Sequence, residues 1–264
     1  MTKRKHFDNT SYTTGLNIAL QTAFYPHYDY KKAKQGKKYT VVNSFPDDMC
    51  KNPKARGKQM DRLVDRMVHL IQDDGFTLED LIGNSKSSSK KLKRFQKDST
   101  VYMREQLIPY LIRKTLVPFE SQVHVYDKKK NIGTSIDLIC KTIEGKLAII
   151  EIKVGFDCYY ELHTGKCMNH PFEDIEDSLR WQHQLYLSFA VDMIEKQRKI
   201  KVDRELSAVV RMSSDGINIY PIFPWDIGSK DIAWNILASR SDWNNKERKK
   251  YIGNCRRKRT KQLD

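Results

Sequence analysis

The stretch GTSIDLICKTIEGKLAIIEIK, from Gly133 to Lys153, constrains this chain more than any other. Ser135 to Ile143 reads as one strand and Glu144-Gly145 as a hairpin turn. Lys146 to Ile152 reads as the next strand, nearly all apolar, as a central sheet strand must be. Side chains alternate along a strand, so Glu151 and Lys153 share one face while Ile150 and Ile152 share the other. A carboxylate inside so apolar a run is costly to bury without a charged partner. Pairing the two strands carries Asp137 to the end of the hairpin where Glu151 lies. Two carboxylates and a lysine then converge.

The rest of the chain supplies the layers around that hairpin. Ser11 to Phe24 has helical apolar spacing and is followed by aromatic residues, a basic turn from Lys31 to Lys38 and the short run Tyr39 to Val42. Lys58 to Gln72 is a helix, with Met60, Leu63, Val64, Met67, Val68 and Ile71 on one stripe. Phe76 to Ile82 is a second short helix, and Gly83 to Lys97 reads as a small-polar, basic, solvent-exposed linker. Asp98 or Ser99 caps a helix through Lys114 that Pro109 should break or bend. Phe119 to Tyr126 alternates as a strand. Phe156 to Pro171 is an irregular insertion, and Phe172 to Lys196 a long amphipathic helix. Leu206 to Met212 and Ile217 to Ile222 are strands joined at Ser214-Asp215-Gly216, and Lys230 to Ala238 is helical. The order indicates a mixed α/β core over 98–240. A mostly helical accessory region over 1–97 precedes it, with its linker at 83–97, and a basic tail over 241–264 follows.

Composition narrows the partner. The chain has 264 residues, with 48 Lys+Arg against 33 Asp+Glu and a formal net charge of +15, which favours a polyanionic partner without saying which. Its apolar runs are too short to cross a bilayer, and the basic N-terminus has no apolar stretch behind it, so no membrane role is expected. Five cysteines without a close-spaced framework favour a reducing, intracellular compartment. Arg256-Arg257-Lys258-Arg259 resembles a nuclear import patch for a eukaryotic host; otherwise the cytoplasm is expected, and the same run can grip nucleic acid. Cys158, His163, Cys167 and His170 are zinc-ligand types in the insertion, although their spacing lacks a close cysteine pair. There is no P-loop and no G-x-G-x-x-G, so nucleotide hydrolysis has no local support.

Phosphodiester hydrolysis needs an activated water and relief of charge on the phosphate, and a hard divalent ion supplies both. Mg²⁺ takes oxygen ligands and keeps several waters, so two carboxylates suffice; Mn²⁺ should substitute. Asp137 and Glu151 are the expected metal ligands, with the carbonyl of Ile152 a third. Lys153 is placed to orient the water or offset charge.

These residues resemble the PD-(D/E)XK nuclease superfamily, in particular its RecB-like and phage-lambda-exonuclease-like branches. An Asp on the second core strand and an E-x-K on the third match Asp137 and Glu151-Ile152-Lys153. Ser135-Ile136 stands where the family's proline is often found. The run RWQHQLYLSF holds Gln182 and Tyr186 four apart, as the RecB-like branch does on its next helix, and turns His183 and Gln184 elsewhere. The resemblance covers roughly residues 98 to 222. It implies a restriction-endonuclease-like fold and catalytic roles for Asp137, Glu151 and Lys153. Gln182 would position water or substrate, and Tyr186 would support the site. It also implies a further acid from a preceding helix, either Glu105, preferred for chain proximity, or Asp61. The implied activity is a DNA exonuclease of recombination, repair, replication or end processing. The alternatives are a structure-specific endonuclease of the same fold, on DNA or RNA, and a non-catalytic nucleic-acid-binding protein with a vestigial core. Oligomeric state is left open.

Overall fold

The computed structural model describes residues 14–25, 46–50, 52–83, 88–155, 160–161, 163–224 and 226–241. In chain order the elements are β1 (Thr14–Gly15), α1 (Leu16–Ala23), α2 (Pro53–Gln72), α3 (Leu78–Ile82) and α4 (Lys90–Asp98). A π-helical turn (Tyr102–Leu107) leads into α5 (Ile108–Arg113). Then come β2 (Val117–Asp127), β3 (Ile132–Lys141), β4 (Leu147–Val154), β5 (His163–Cys167) and β6 (Glu176–Ser178). The chain continues through α6 (Leu179–Arg198), β7 (Ala208–Ser213), β8 (Gly216–Pro221) and α7 (Ile227–Ser241).

Among the described residues, β1, β2, β3, β4, β7 and β8 form one mixed sheet. β3 is antiparallel to β2 and β4, β4 is parallel to β7, and β7 is antiparallel to β8. The parallel β4–β7 pair requires a crossover, and α6 makes it. The hairpin turn falls where the sequence puts it, with Gly145 at φ +77°, a backbone that L side chains rarely adopt.

Helices cover both faces. Leu16, Leu20 and Phe24 in and after α1, Leu185, Phe189 and Met193 of α6 and Leu237 of α7 pack with Ile139, Ile149 and Val209 of the sheet. On the other face, Met60, Leu63 and Met67 of α2, Leu92 and Phe95 of α4 and Leu111 of α5 pack with Leu138, Ala148, Ile150, Val210 and Met212. The helices before residue 98 therefore share a core with the sheet.

Several local expectations are corrected. Lys90–Asp98 is helix α4, not linker: Ser89 caps it, and Leu92 and Phe95 are the apolar pair of an otherwise basic helix. The helix expected from Asp98 to Lys114 starts later and in two registers, the π-helical turn and then α5, with Pro109 in the first turn of α5 where its missing N–H costs little. The insertion is not wholly irregular, because β5 and β6 pair within and beyond it. The helix expected from Phe172 begins at Leu179, where the Ser178 hydroxyl accepts the N–H of Trp181 at 3.4 Å. Residues 26–45, the N-terminal 1–13 and the basic run 242–264, with its Arg256 to Arg259 patch, lie outside the described residues.

Candidate active site

The β3–β4 ladder stops at Leu138 and Ile150. Beyond it Glu151, Ile152 and Lys153 continue β4 against β7 alone, in register with Val209, Val210 and Arg211. The strands part at Asp137. Its Oδ2 accepts the Ile152 N–H at 2.9 Å, so a side chain replaces the lost strand partner. This split holds the Asp137 and Glu151 carboxylates at one point of the sheet.

Alternation sorts the β4 side chains as expected. Ile150 and Ile152 join the core under α2, while Glu151 and Lys153 share the opposite face. Glu151 is 5% exposed, and the Lys153 ammonium donates to its Oε1. Burial pushes the Glu151 carboxyl up to about 7, with Asp137 and Asp61 adding to the push and Lys153 opposing it. Burial disfavours the Lys153 ammonium, but the Glu151, Asp137 and Asp61 carboxylates outweigh it and hold its pKa above the usual lysine range. Lys153 is therefore a cation at neutral pH.

The third acid is Asp61. Asn52 caps α2 by accepting from Lys54 N and Ala55 N, with Pro53 in the first turn. The helix then lies along β2. Gln72 Nε2 donates to the Pro118 carbonyl at 2.7 Å and the Ser121 hydroxyl to Asp65 Oδ1 at 2.9 Å. Gln122 Nε2 donates to Asp61 Oδ1 at 3.3 Å and to Asp137 Oδ1 at 3.4 Å. Burial and the charge of Asp137 raise the Asp61 pKa, and Lys153 counters. Glu105, favoured from chain proximity, is instead exposed on the π-helical turn, and its side chain makes no hydrogen bond or ion pair among the described residues.

The two helix residues reach different partners. Gln182 does not reach the carboxylates. It is buried, and its Nε2 donates to Asp177 Oδ1 at 2.7 Å. Tyr186 reaches β3 rather than the reacting side: its hydroxyl donates to the Ser135 carbonyl at 3.0 Å and bonds the Thr134 hydroxyl, two and three residues before Asp137. His183, expected to point away, is the α6 residue beside Lys153. Burial and the Lys153 charge hold its imidazole well below its usual range, and its Nδ1 bonds the Tyr160 hydroxyl at 3.0 Å.

Cations and rings continue outward from His183. The Tyr160 ring lies tilted against that of Tyr220, with centroids 5.3 Å apart. The Arg211 guanidinium lies 5.3 Å from the Tyr160 centroid, and its Nε donates to the Gly155 carbonyl at 3.1 Å. The Arg180 guanidinium lies 4.9 Å from the Trp181 ring and 5.2 Å from that of Tyr220. Arg180 forms no ion pair among the described residues, and Nε donates only to Gln184 Oε1 at 3.4 Å. Sequence alone offered one signal for this patch, Arg180 and Trp181 beside the Gln–Tyr pair.

The donor chemistry suits a hard cation. Asp61 and Asp137 are within reach of a single amide nitrogen, and Glu151 feels both their charges. All three offer carboxylate oxygens. Their placement is nevertheless not that of a closed ligand shell. Among the described residues no three His, Cys, Asp or Glu side chains form a group of metal-binding geometry; the Gln122 amide and the Lys153 ammonium each hydrogen-bond these carboxylates. The zinc alternative gains nothing. Cys158 and the His163 side chain lie outside the described residues, Cys167 is exposed, and His170 bonds Glu173 at 2.8 Å. Among the described residues no helix is long and apolar enough to cross a membrane. No family model and no curated protein sequence matches this chain.

Proposed function

We propose that this chain is a metal-dependent nuclease with a restriction-endonuclease-like core, hydrolysing DNA phosphodiester bonds and acting from ends. One observation carries the reading. Asp61, Asp137, Glu151 and Lys153, drawn from α2, β3 and β4, meet where the β3–β4 ladder opens. Burying Glu151 beside the half-buried Asp61 and Asp137 costs stability that a fold without use for them would shed.

Asp137 and Glu151, joined by Asp61, would hold Mg²⁺ or Mn²⁺, with the Ile152 carbonyl a further oxygen. Such an ion lowers the pKa of bound water and offsets charge on a phosphoryl oxygen. Lys153 keeps its proton and sets a positive charge beside Glu151, where negative charge builds as a phosphodiester is attacked. His183 stays neutral and holds the Tyr160 hydroxyl. Arg180, backed by the Trp181 and Tyr220 rings, offers positive charge of the kind a polyanionic backbone requires, while the buried Arg211 holds the Gly155 carbonyl beyond Lys153. Exonuclease action rests on the resemblance to the RecB-like and lambda-like branches.

The deciding test is Mg²⁺-dependent degradation of end-labelled linear, circular and single-stranded DNA by wild type and Asp137→Asn. Loss of linear DNA alone, absent in the variant, is the expected result. Nicked circles would replace the exonuclease with an endonuclease. Equal behaviour of the two proteins would leave only a nucleic-acid-binding role.

A further inference from the structure

We infer that the Arg180 guanidinium is a fork for one backbone phosphate of a bound nucleic-acid strand, held through Nη1 and Nη2 beside the reacting centre. The inference rests on the nuclease reading above and deepens it by naming a residue that positions the substrate.

Arg180 stands apart from the other arginines of the fold. Among the described residues, Arg56, Arg66, Arg104, Arg198, Arg204 and Arg211 are likewise buried or half-buried, and each donates through Nη to a carboxylate, carbonyl or amide oxygen. Arg180 is half-buried too, yet only its Nε has an acceptor, Gln184 Oε1. Its Nη1 and Nη2 have none among the described residues. Taking a guanidinium part-way out of water without a partner carries a cost that an arriving anion would offset.

The setting holds the fork still. Its guanidinium lies 4.9 Å from the Trp181 ring and 5.2 Å from that of Tyr220. Trp181 in turn stands edge-on to Phe223, with centroids 5.8 Å apart, and the Tyr220 hydroxyl donates to Glu161 Oε1 at 2.7 Å. A planar cation braced between two rings keeps its N–H groups in fixed directions, which bidentate phosphate binding uses. Nor is the position one where the helix welcomes a cation. Arg180 is the second residue of the 20-residue α6, no acidic residue shares that first turn, and the helix dipole opposes positive charge there.

Location ties the fork to the reaction. The Arg180 N–H donates to the Tyr160 carbonyl at 3.1 Å. Tyr160 lies against Tyr220 and bonds His183, the α6 residue beside Lys153. The charges of Glu151 and Arg180 both reach the Tyr160 hydroxyl. A strand with its scissile phosphate at Lys153 would bring a neighbouring phosphate to Arg180.

Fluorescence anisotropy of a labelled DNA duplex with the full chain in EDTA, repeated over a range of KCl, tests this beside melting curves. Loss of one phosphate contact lowers the slope of log affinity against log salt by about 0.9. Arg180→Gln should show that loss and bind about tenfold more weakly. Arg180→Lys should keep the wild-type slope and still bind several-fold more weakly, since an ammonium cannot form the fork. Arg113→Gln removes the same charge from α5, on the opposite face of the sheet, and should change neither. Wild-type slope and affinity in Arg180→Gln, whatever its melting temperature, would make the arginine a brace for its rings and overturn the inference alone. A wild type that neither binds nor, with Mg²⁺, cleaves DNA would overturn it together with the nuclease reading.

Discussion

The Asp137 carboxylate stands in for a β-strand: it accepts the Ile152 N–H at 2.9 Å where β3 and β4 cease to pair. One residue thus closes a gap in the sheet with one oxygen and faces Gln122 with the other. Structural and chemical duties can be separated by choosing what replaces it.

Asp137→Asn keeps an acceptor for Ile152, so the variant should unfold at close to the wild-type denaturant midpoint while cleaving no DNA. Asp137→Ala leaves that partly buried N–H unpaired and should lose about 1–3 kcal/mol as well. Urea titrations beside end-label assays measure both. Cleavage by Asp137→Asn would remove this residue from the mechanism.

Lys153→Met removes the cation that opposes burial at Glu151. Turnover should fall roughly a hundred- to thousandfold. The Glu151 carboxyl, already at about 7, should rise further, so the residual activity should need a higher pH than wild type. A pH–rate profile of unchanged position would contradict the coupling.

Besides Asp61, two carboxyls have pKa values raised by burial, Asp177 to about 6 and Glu151 to about 7. For each, the folded state holds its proton more tightly than the unfolded chain does. Stability from these groups is full below about pH 4 and lost as pH rises through 6 and then 7. The cation-free protein should therefore lose about 3 kcal/mol per group between pH 4 and pH 8. Asp177→Asn should flatten the lower part of that slope and Glu151→Gln the upper. Mn²⁺ should offset the Glu151 part alone, since Asp177 faces Gln182. Melting temperature against pH, with and without Mn²⁺, reads all four cases.

Gln182→Ala should be a stability variant. It strips Asp177 Oδ1 of its donor, and Asp177 Oδ2 already lacks a partner, so a loss of about 1–3 kcal/mol is expected with cation affinity unchanged. Tyr186→Phe should cost about 1 kcal/mol through Ser135 and Thr134. A collapse of Mn²⁺ binding in Gln182→Ala would restore the site role that the resemblance implies.

What could be read ahead of the structure was whatever strand period encodes. KLAIIEIK states both the centrality of β4 and the shared face of Glu151 and Lys153. Asp61 was ambiguous because helix period shows only that it adjoins the apolar stripe; what selects it over Glu105 is the docking of α2 on β2 through Ser121, Gln122 and Pro118. Gln122 carries no sequence mark, since a glutamine between Ser121 and Val123 looks like an ordinary strand residue. The exchange of Gln182 for His183 follows from where α6 starts. Ser178 caps it, and one residue of offset turns a helix by about 100°. The KKLKRFQKD helix was hidden by its charge, because two apolar residues make a weak pattern.

The one-sided pairing of β4 also orders events in time. Beyond Ile150 its backbone is fixed by β7, which emerges from synthesis only after β5, β6 and all of α6. Closing so long a loop is the slow kind of contact in a folding chain. The β2–β3–β4 meander can form early from near neighbours, but Glu151 and Lys153 take their final places only when that last parallel pairing closes. Catalytic competence would then report the final step of folding rather than the first.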